Sequence, residues 1–239
     1  MLKLMKLELK RNNIKTYVIA SVITCIIMLG FIYLFAYAPH IDPDPDLQIF
    51  AGYNNIISLF SMLSMAVFAT ISAIMYRRFV IDEYKEKRAI LLFSYPIKRD
   101  KILFSKLAVV FLFTMAAMII CNFLAFGIFS ISESISPLVD GMLSANTMIR
   151  AIKVTVIMAT TAAEIGIVAT GIGFIKKSVP TTIVSAVLLS SLFCNIMFNS
   201  TSDINRSDIA SLVFMGITVI AGMVIAIMLM KKVNHMEVE

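Results

Sequence analysis

Residues 77–106 read RRFVIDEYKEKRAILLFSYPIKRDKILFSK. This is the only long charged segment that separates two apolar runs. It holds nine of the chain's 21 Lys and Arg: Arg77, Arg78, Lys85, Lys87, Arg88, Lys98, Arg99, Lys101 and Lys106. Its acids are Asp82, Glu83, Glu86 and Asp100. A segment so charged cannot lie in hydrocarbon, so it is a loop on one side of a membrane. Its positive excess puts that side in the cytoplasm.

Composition agrees. Of 239 residues, 59% are hydrophobic and 15% charged. Several apolar runs exceed 18 residues, the length at which a run reads as a transmembrane helix. The net charge of +6 is explained by basic residues flanking those runs, so nucleic acid is not expected as a partner. Cys25, Cys121 and Cys194 all fall in apolar runs and read as small buried hydrophobes. His40 and His235 are isolated, and no metal-ligand spacing occurs.

The chain therefore reads as an all-α membrane protein, one transmembrane domain over 1–239 with six spans. Residues 1–15 are a basic amphipathic helix lying on the inner surface. Leu2, Met5 and Leu9 share one face, and Lys3, Lys6 and Lys10 the next. The spans are expected at about 16–38, 54–76, 107–131, 148–175, 180–199 and 209–230, with 77–106 as the inner loop. A cleavable leader is disfavoured, because the first apolar run is too long and lacks a small-x-small site. Tyr17, Tyr33 and Tyr37 mark the ends of the first span.

Within 77–106, Phe79 to Phe93 fits an amphipathic helix. Val80, Tyr84 and Leu91 recur at helical spacing, and Glu83 and Lys87 form an i,i+4 pair. Pro96 stops it. Pro180 suits a helix start. The fourth run, about 28 residues, would extend roughly 42 Å as a helix, beyond a core of about 30 Å, so Arg150 and Lys153 are expected at the outer interface.

Charge distribution fixes the topology. Eighteen of the 21 cationic residues fall in segments 3–15, 77–106, 176–177 and 231–232. Arg150, Lys153 and Arg206 are the exceptions. Asp42, Asp44, Asp46, Glu133, Asp140, Asp203 and Asp208 all fall on the other side. Both termini are then cytoplasmic.

Glu164 is the one ionisable residue in the middle of a span. At that depth a carboxyl costs several kcal/mol, roughly, unless neutral, paired or facing water. It is either a substrate or proton contact or a hydrogen-bonded packing contact, with Asn122, Asn195 or a serine as candidate partners. Ala159, Ala162, Ala163, Gly166, Ala169, Thr170 and Gly173 supply small-xxx-small spacing around it. Such spacing suits bundle packing, a dimer seam or a moving interface. Asp42, Asp44 and Asp46 alternate with prolines that hold them apart, which argues for a solvated outer loop over a calcium site. GIGFIKKS at 171–178 is not a phosphate loop: Lys176 stands where the motif needs glycine, and no strand precedes it. No nucleophile–base arrangement is visible.

At the inner loop the sequence resembles the permease subunits of ABC exporters, in the type-two family that includes bacterial antibiotic, bacteriocin and peptide exporters. The likeness covers the architecture of the whole chain and, as motif, DEYKEKRAILLFSYPIKRDKILFSK. It departs from some relatives in lacking a large outer domain, and no distinct re-entrant pair is evident in spans five and six. The resemblance implies a coupling helix between spans two and three. Glu83 would be its acid, Tyr84, Lys87 and Arg88 its body, and Tyr95, Pro96, Lys98 and Arg99 the turn after it. It implies no catalysis or cofactor in this chain. ATP and Mg would be held by two copies of a separate ATPase subunit. A second permease chain, identical or paralogous, would complete the pathway in a bacterial plasma membrane. The substrate would be amphipathic, such as a peptide antibiotic, a bacteriocin or a lipid-like molecule, exported along a route including Glu164, Asn122 and Asn195. The alternatives are an ion-coupled carrier or small channel using Glu164, and a membrane scaffold or immunity protein. A single membrane carboxylate and the lack of an obvious repeat weigh against the carrier.

Overall fold

The computed structural model describes residues 2–41, 52–84, 99–136, 138–139, 144–176, 178–199 and 204–234. These form seven helices: α1 (Leu2–Arg11), α2 (Lys15–Ile41), α3 (Tyr53–Tyr76), α4 (Arg99–Ile135), α5 (Ala145–Ile175), α6 (Val179–Phe198) and α7 (Ile204–Asn234). Six stretches among them are long and apolar enough to cross a membrane: Lys15–His40, Tyr53–Ile81, Arg99–Ile135, Ala145–Ile175, Pro180–Phe198 and Arg206–Asn234. The protein is an all-α, multi-pass membrane protein.

Helix α5 is the hub. It packs on α3, α4, α6 and α7. Its most apolar window is 72% buried and that of α3 67%, against 17% for α2 and for α7. Small side chains explain the difference. Ala159, Ala162, Ala163 and Ala169 on α5 are fully buried. A Cβ on Gly166 would collide with Ser72 of α3, one on Gly171 with Ile225 of α7, and one on Gly173 with Thr182 of α6. Without a lipid-to-protein hydrophobic gain, such close contact is what holds membrane helices together. The small-residue stripe is thus used inside this chain. Ile19, Ile26, Leu34, Leu188, Leu192, Ile217 and Ile220 instead point outward from α2, α6 and α7.

Two apolar cores lie at different depths. One gathers Met28, Ile32, Phe60, Phe68, Phe129, Met158 and Phe193. The other gathers Tyr17, Tyr76, Phe79, Leu103, Val110, Phe174 and Val233, where the basic residues cluster. The latter is called the basic end below.

The helices outrun their apolar cores at the basic end. Helix α3 does not stop at Tyr76 but continues as a π-helical turn over Arg77–Ile81. Phe79, Val80 and Ile81 are buried there. The separate amphipathic helix expected from Phe79 is therefore corrected over its first three residues, which belong to span two. Their apolar side chains are drawn into the second core. Helix α4 begins at Arg99, ahead of the apolar run from Leu107, because Ile102, Leu103, Ser105 and Lys106 are themselves buried.

Candidate functional site

The two chain segments that frame the charged loop are packed rigidly. On the exit side, Tyr84 is buried and its ring meets Phe174 of α5 edge-on at 5.9 Å between centroids. Burial, followed by the Glu83 and Glu8 carboxylates, pushes the Tyr84 phenol up from its ordinary range. It stays protonated near neutral pH. Lys232 of α7 lies 5.9 Å from the centroid of the Phe174 ring, a cation–π distance. Tyr76, fully buried, donates its hydroxyl to the Leu107 carbonyl at 3.1 Å, tying α3 to α4.

Beside this packing sits a neutral four-charge cluster. Lys106 on α4 is 0% exposed. Its Nζ donates to Glu8 Oε2 of α1 at 2.9 Å and also to Glu83. Arg11 of α1 pairs with Glu8 at 3.2 Å and with Glu83. Asn12 Nδ2 adds a contact to Glu8 Oε2 at 3.3 Å. Two carboxylates and two cations thus satisfy one another. A buried ammonium is tolerated only under such conditions, because its desolvation costs several kcal/mol, roughly, without a partner. By contrast, Arg77 and Asp82 stand 3.8 Å apart and are partly exposed, an arrangement worth little.

The geometry places the sequence-nominated residues as follows. Glu83 and Tyr84 share the turn that ends α3, and Arg99 opens α4. Lys87, Arg88, Tyr95, Pro96 and Lys98 lie outside the described residues, as do the Asp42, Asp44 and Asp46 triplet and His235. Glu83 is turned inward to Arg11 and Lys106.

Glu164, Asn122 and Asn195 are not brought together. Asn122 accepts from Ser64 Oγ at 2.8 Å and approaches Thr155 Oγ1 at 3.5 Å, joining α3, α4 and α5. Asn195 is exposed on α6, where Asn199 Nδ2 donates to its side-chain oxygen at 3.3 Å. It lines a groove of about 560 Å³ between α3 and α6 that also carries Thr70, Ser190 and Ser191 among apolar neighbours. Glu164 is 7% exposed, and its Oε2 has no hydrogen-bond partner among the described residues. That carboxyl abuts Gly222 of α7, where any Cβ would strike it. The pairing of Glu164 with either asparagine is thereby corrected: each asparagine is engaged elsewhere.

At the opposite end, Arg150 of α5 gathers three helix starts. Its guanidinium donates to the Asn54 carbonyl at 2.8 Å and Ser58 Oγ at 3.1 Å on α3, and to Asp208 Oδ1 on α7 at 3.0 Å. Nearby, Glu133 near the end of α4 accepts from Tyr53 at 2.6 Å and from the Leu138 amide at 2.9 Å.

Sequence reasoning missed Glu8, Arg11 and Lys106 as a unit. One signal was present: Glu8 is the only acid among the first 15 residues. A second was that Lys106 lies on the same helical stripe as Leu103, Leu107 and Val110. Neither signal names a partner, since the pairing spans 98 positions.

Comparison with known proteins adds the family. A model described as ABC-2 family transporter protein matches residues 4–190. The chain is 27% identical over 191 residues to the uncharacterized protein YcbO of Bacillus subtilis (strain 168), covering 80% of this chain and 82% of that protein. No solved structure matches. The chain belongs to the ABC-2 family of transporter proteins, whose members are the membrane component of ABC transporters and are not themselves catalytic.

Proposed function

We propose that this ABC-2 permease subunit exports an amphipathic molecule across a bacterial plasma membrane, driven by two copies of a separate ATPase that dock on residues 77–106. The observation that carries this reading is the rigid frame around the charged loop. The π-helical end of α3, the early start of α4 and the four-charge cluster between them hold both loop ends against the bundle. A push delivered to such a frame moves whole helices, which is what rigid-body switching needs. The charge bias of the chain supports a cytoplasmic position for this frame and for both termini.

The substrate class is supported by the groove between α3 and α6. Thr70, Ser190, Ser191 and Asn195 are the polar residues in its otherwise largely apolar lining. A molecule with both characters would fit it. A second permease chain, identical or paralogous, would close the groove into a pathway. Peptide antibiotics, bacteriocins and lipid-like molecules share that character.

The test is purification of the tagged chain from its own cells in mild detergent, with mass spectrometry and an ATP hydrolysis assay. A stoichiometric ATPase that is lost when residues 85–98 are replaced supports the reading. A chain that purifies alone without hydrolysis overturns it. Glu164, whose Oε2 has no hydrogen-bond partner among the described residues, would then favour an ion-coupled carrier.

A further inference from the structure

We propose that Lys106 is a positioning residue that locks α1 and the end of α3 onto the first turns of α4, so that the N-terminal helix and the docking loop move as one body. This rests on the proposed docking of an ATPase at the loop. Three parts of the chain that are far apart in sequence converge on one ammonium group: Glu8 from α1, Glu83 from the turn after α3, and Lys106 itself. No water-exposed position would need such convergence. Lys106 is fully buried, and Arg11 covers the two carboxylates from the other side.

The cluster changes what Glu83 can do. Its carboxylate is occupied by Arg11 and Lys106 inside this chain. Its part in coupling is to fix where the loop leaves α3, and contact with the ATPase falls to the loop beyond it. The arrangement also gives α1 a task other than resting on lipid. The face carrying Leu4, Met5, Glu8 and Asn12 is turned to the protein, while Lys6, Leu7, Leu9 and Lys10 are exposed. Met5 packs at the edge of the second core, the one that contains Tyr84 and Leu103. A displacement of the loop therefore carries α1 with it.

Lys106→Met leaves two carboxylates to Arg11 alone and endangers the fold, so Glu8→Gln and the conservative Glu8→Asp carry the test. The aspartate keeps a carboxylate on the side of Lys106 and Arg11. Hydrogen exchange is measured on the chain alone in lipid nanodiscs over residues 2–14 and 77–84. ATP hydrolysis is measured on the complex with the ATPase that co-purifies with the native chain. Glu8→Gln is expected to raise exchange about tenfold in both segments, the scale of one lost charged hydrogen bond. It should lower kcat of the complex by a similar factor with KM for ATP unchanged, because ATP binds in the partner. Glu8→Asp should recover most of both. Unchanged exchange in either segment overturns the proposal, and so does faster exchange with unaltered kcat. A native chain with no ATPase overturns the permease reading instead. The exchange data then still decide whether the cluster holds the two segments together.

Discussion

The two ends of the bundle are closed by different chemistry. At the basic end, an ammonium group with no exposure is enclosed by carboxylates from separate segments, and Arg11 completes a neutral set. At the opposite end, one partly exposed guanidinium spreads its donors over a carboxylate, a hydroxyl, an amide side chain and a backbone carbonyl. The first arrangement centres on Lys106, which water does not reach, while Arg11 on its outer side is 45% exposed. The second spreads one cation over several acceptors, with Arg150 11% and Asp208 24% exposed. The lesson is one of connection: a buried ammonium joins α1, the end of α3 and α4, whereas one guanidinium joins α3, α5 and α7.

The largest break in this comparison is expected from Lys106→Met. It removes one partner from a buried ionic set and should lower stability by about 3–5 kcal/mol, read as a large fall in melting temperature in detergent. A melting curve like that of the native chain would mean that the cluster is solvated and that the two ends do not differ as described.

Arg150→Leu should cost less, about 1.5–3 kcal/mol, because Asp208 keeps some contact with solvent. Salt sharpens the contrast. Raising ionic strength to about 1 M shortens the screening length to roughly 3 Å. That should lower the melting temperature of the native chain through its partly exposed pairs, Arg150–Asp208 and those of Arg11. Salt should have a smaller effect on Arg150→Leu, which keeps the Arg11 pairs. Equal salt sensitivity of the native chain and Arg150→Leu would mean that the Arg150–Asp208 pair contributes nothing measurable.

How much of this was legible in the sequence follows the range of the interactions. The six spans and their alternation are local properties of apolar run and flanking charge, and the structure places six such helices. Glu164 was conspicuous because one carboxyl in an apolar run needs no partner to be noticed. The inner loop was harder. Val80 and Tyr84 fit the period of a helix lying on the surface, yet Tyr84 packs against Phe174 and Val80 is buried in the π-helical turn that prolongs span two. Periodicity gives a face and not what covers it. The Glu8–Lys106 pair lay beyond any local pattern. By its place among the lysines of α1, Glu8 reads as one more solvent-facing residue of a basic helix. Only the approach of α4 shows that this side is the inside one.

Between the two ends, Gly222 tests whether the middle of the bundle is closed by packing alone. A Cβ there would strike the Glu164 carboxyl. Gly222→Ala is expected to destabilise by about 1–3 kcal/mol through overpacking. Combined with Glu164→Ala, most of that cost should be recovered, since the colliding group is gone. Additive effects in this double-mutant cycle would mean that α5 and α7 are not in contact at that level.

Glu164→Gln should have the smallest effect of all, and for a reason that completes the comparison. At both ends a carboxylate has a cation within reach: Glu8 and Glu83 have Lys106, and Asp208 has Arg150. Glu164 has no ion pair among the described residues, and its Oε2 faces glycine backbone. A charge held there would lack the compensation that both ends supply. An amide matches a neutral carboxyl in shape, so Glu164→Gln should leave melting within about 1 kcal/mol of the native chain and should leave ATP-driven export in proteoliposomes unchanged. Loss of export with intact folding would show that the proton or the charge on Glu164 is used during transport. The middle of the bundle would then be a working site and not a packed wall between two ion-paired ends.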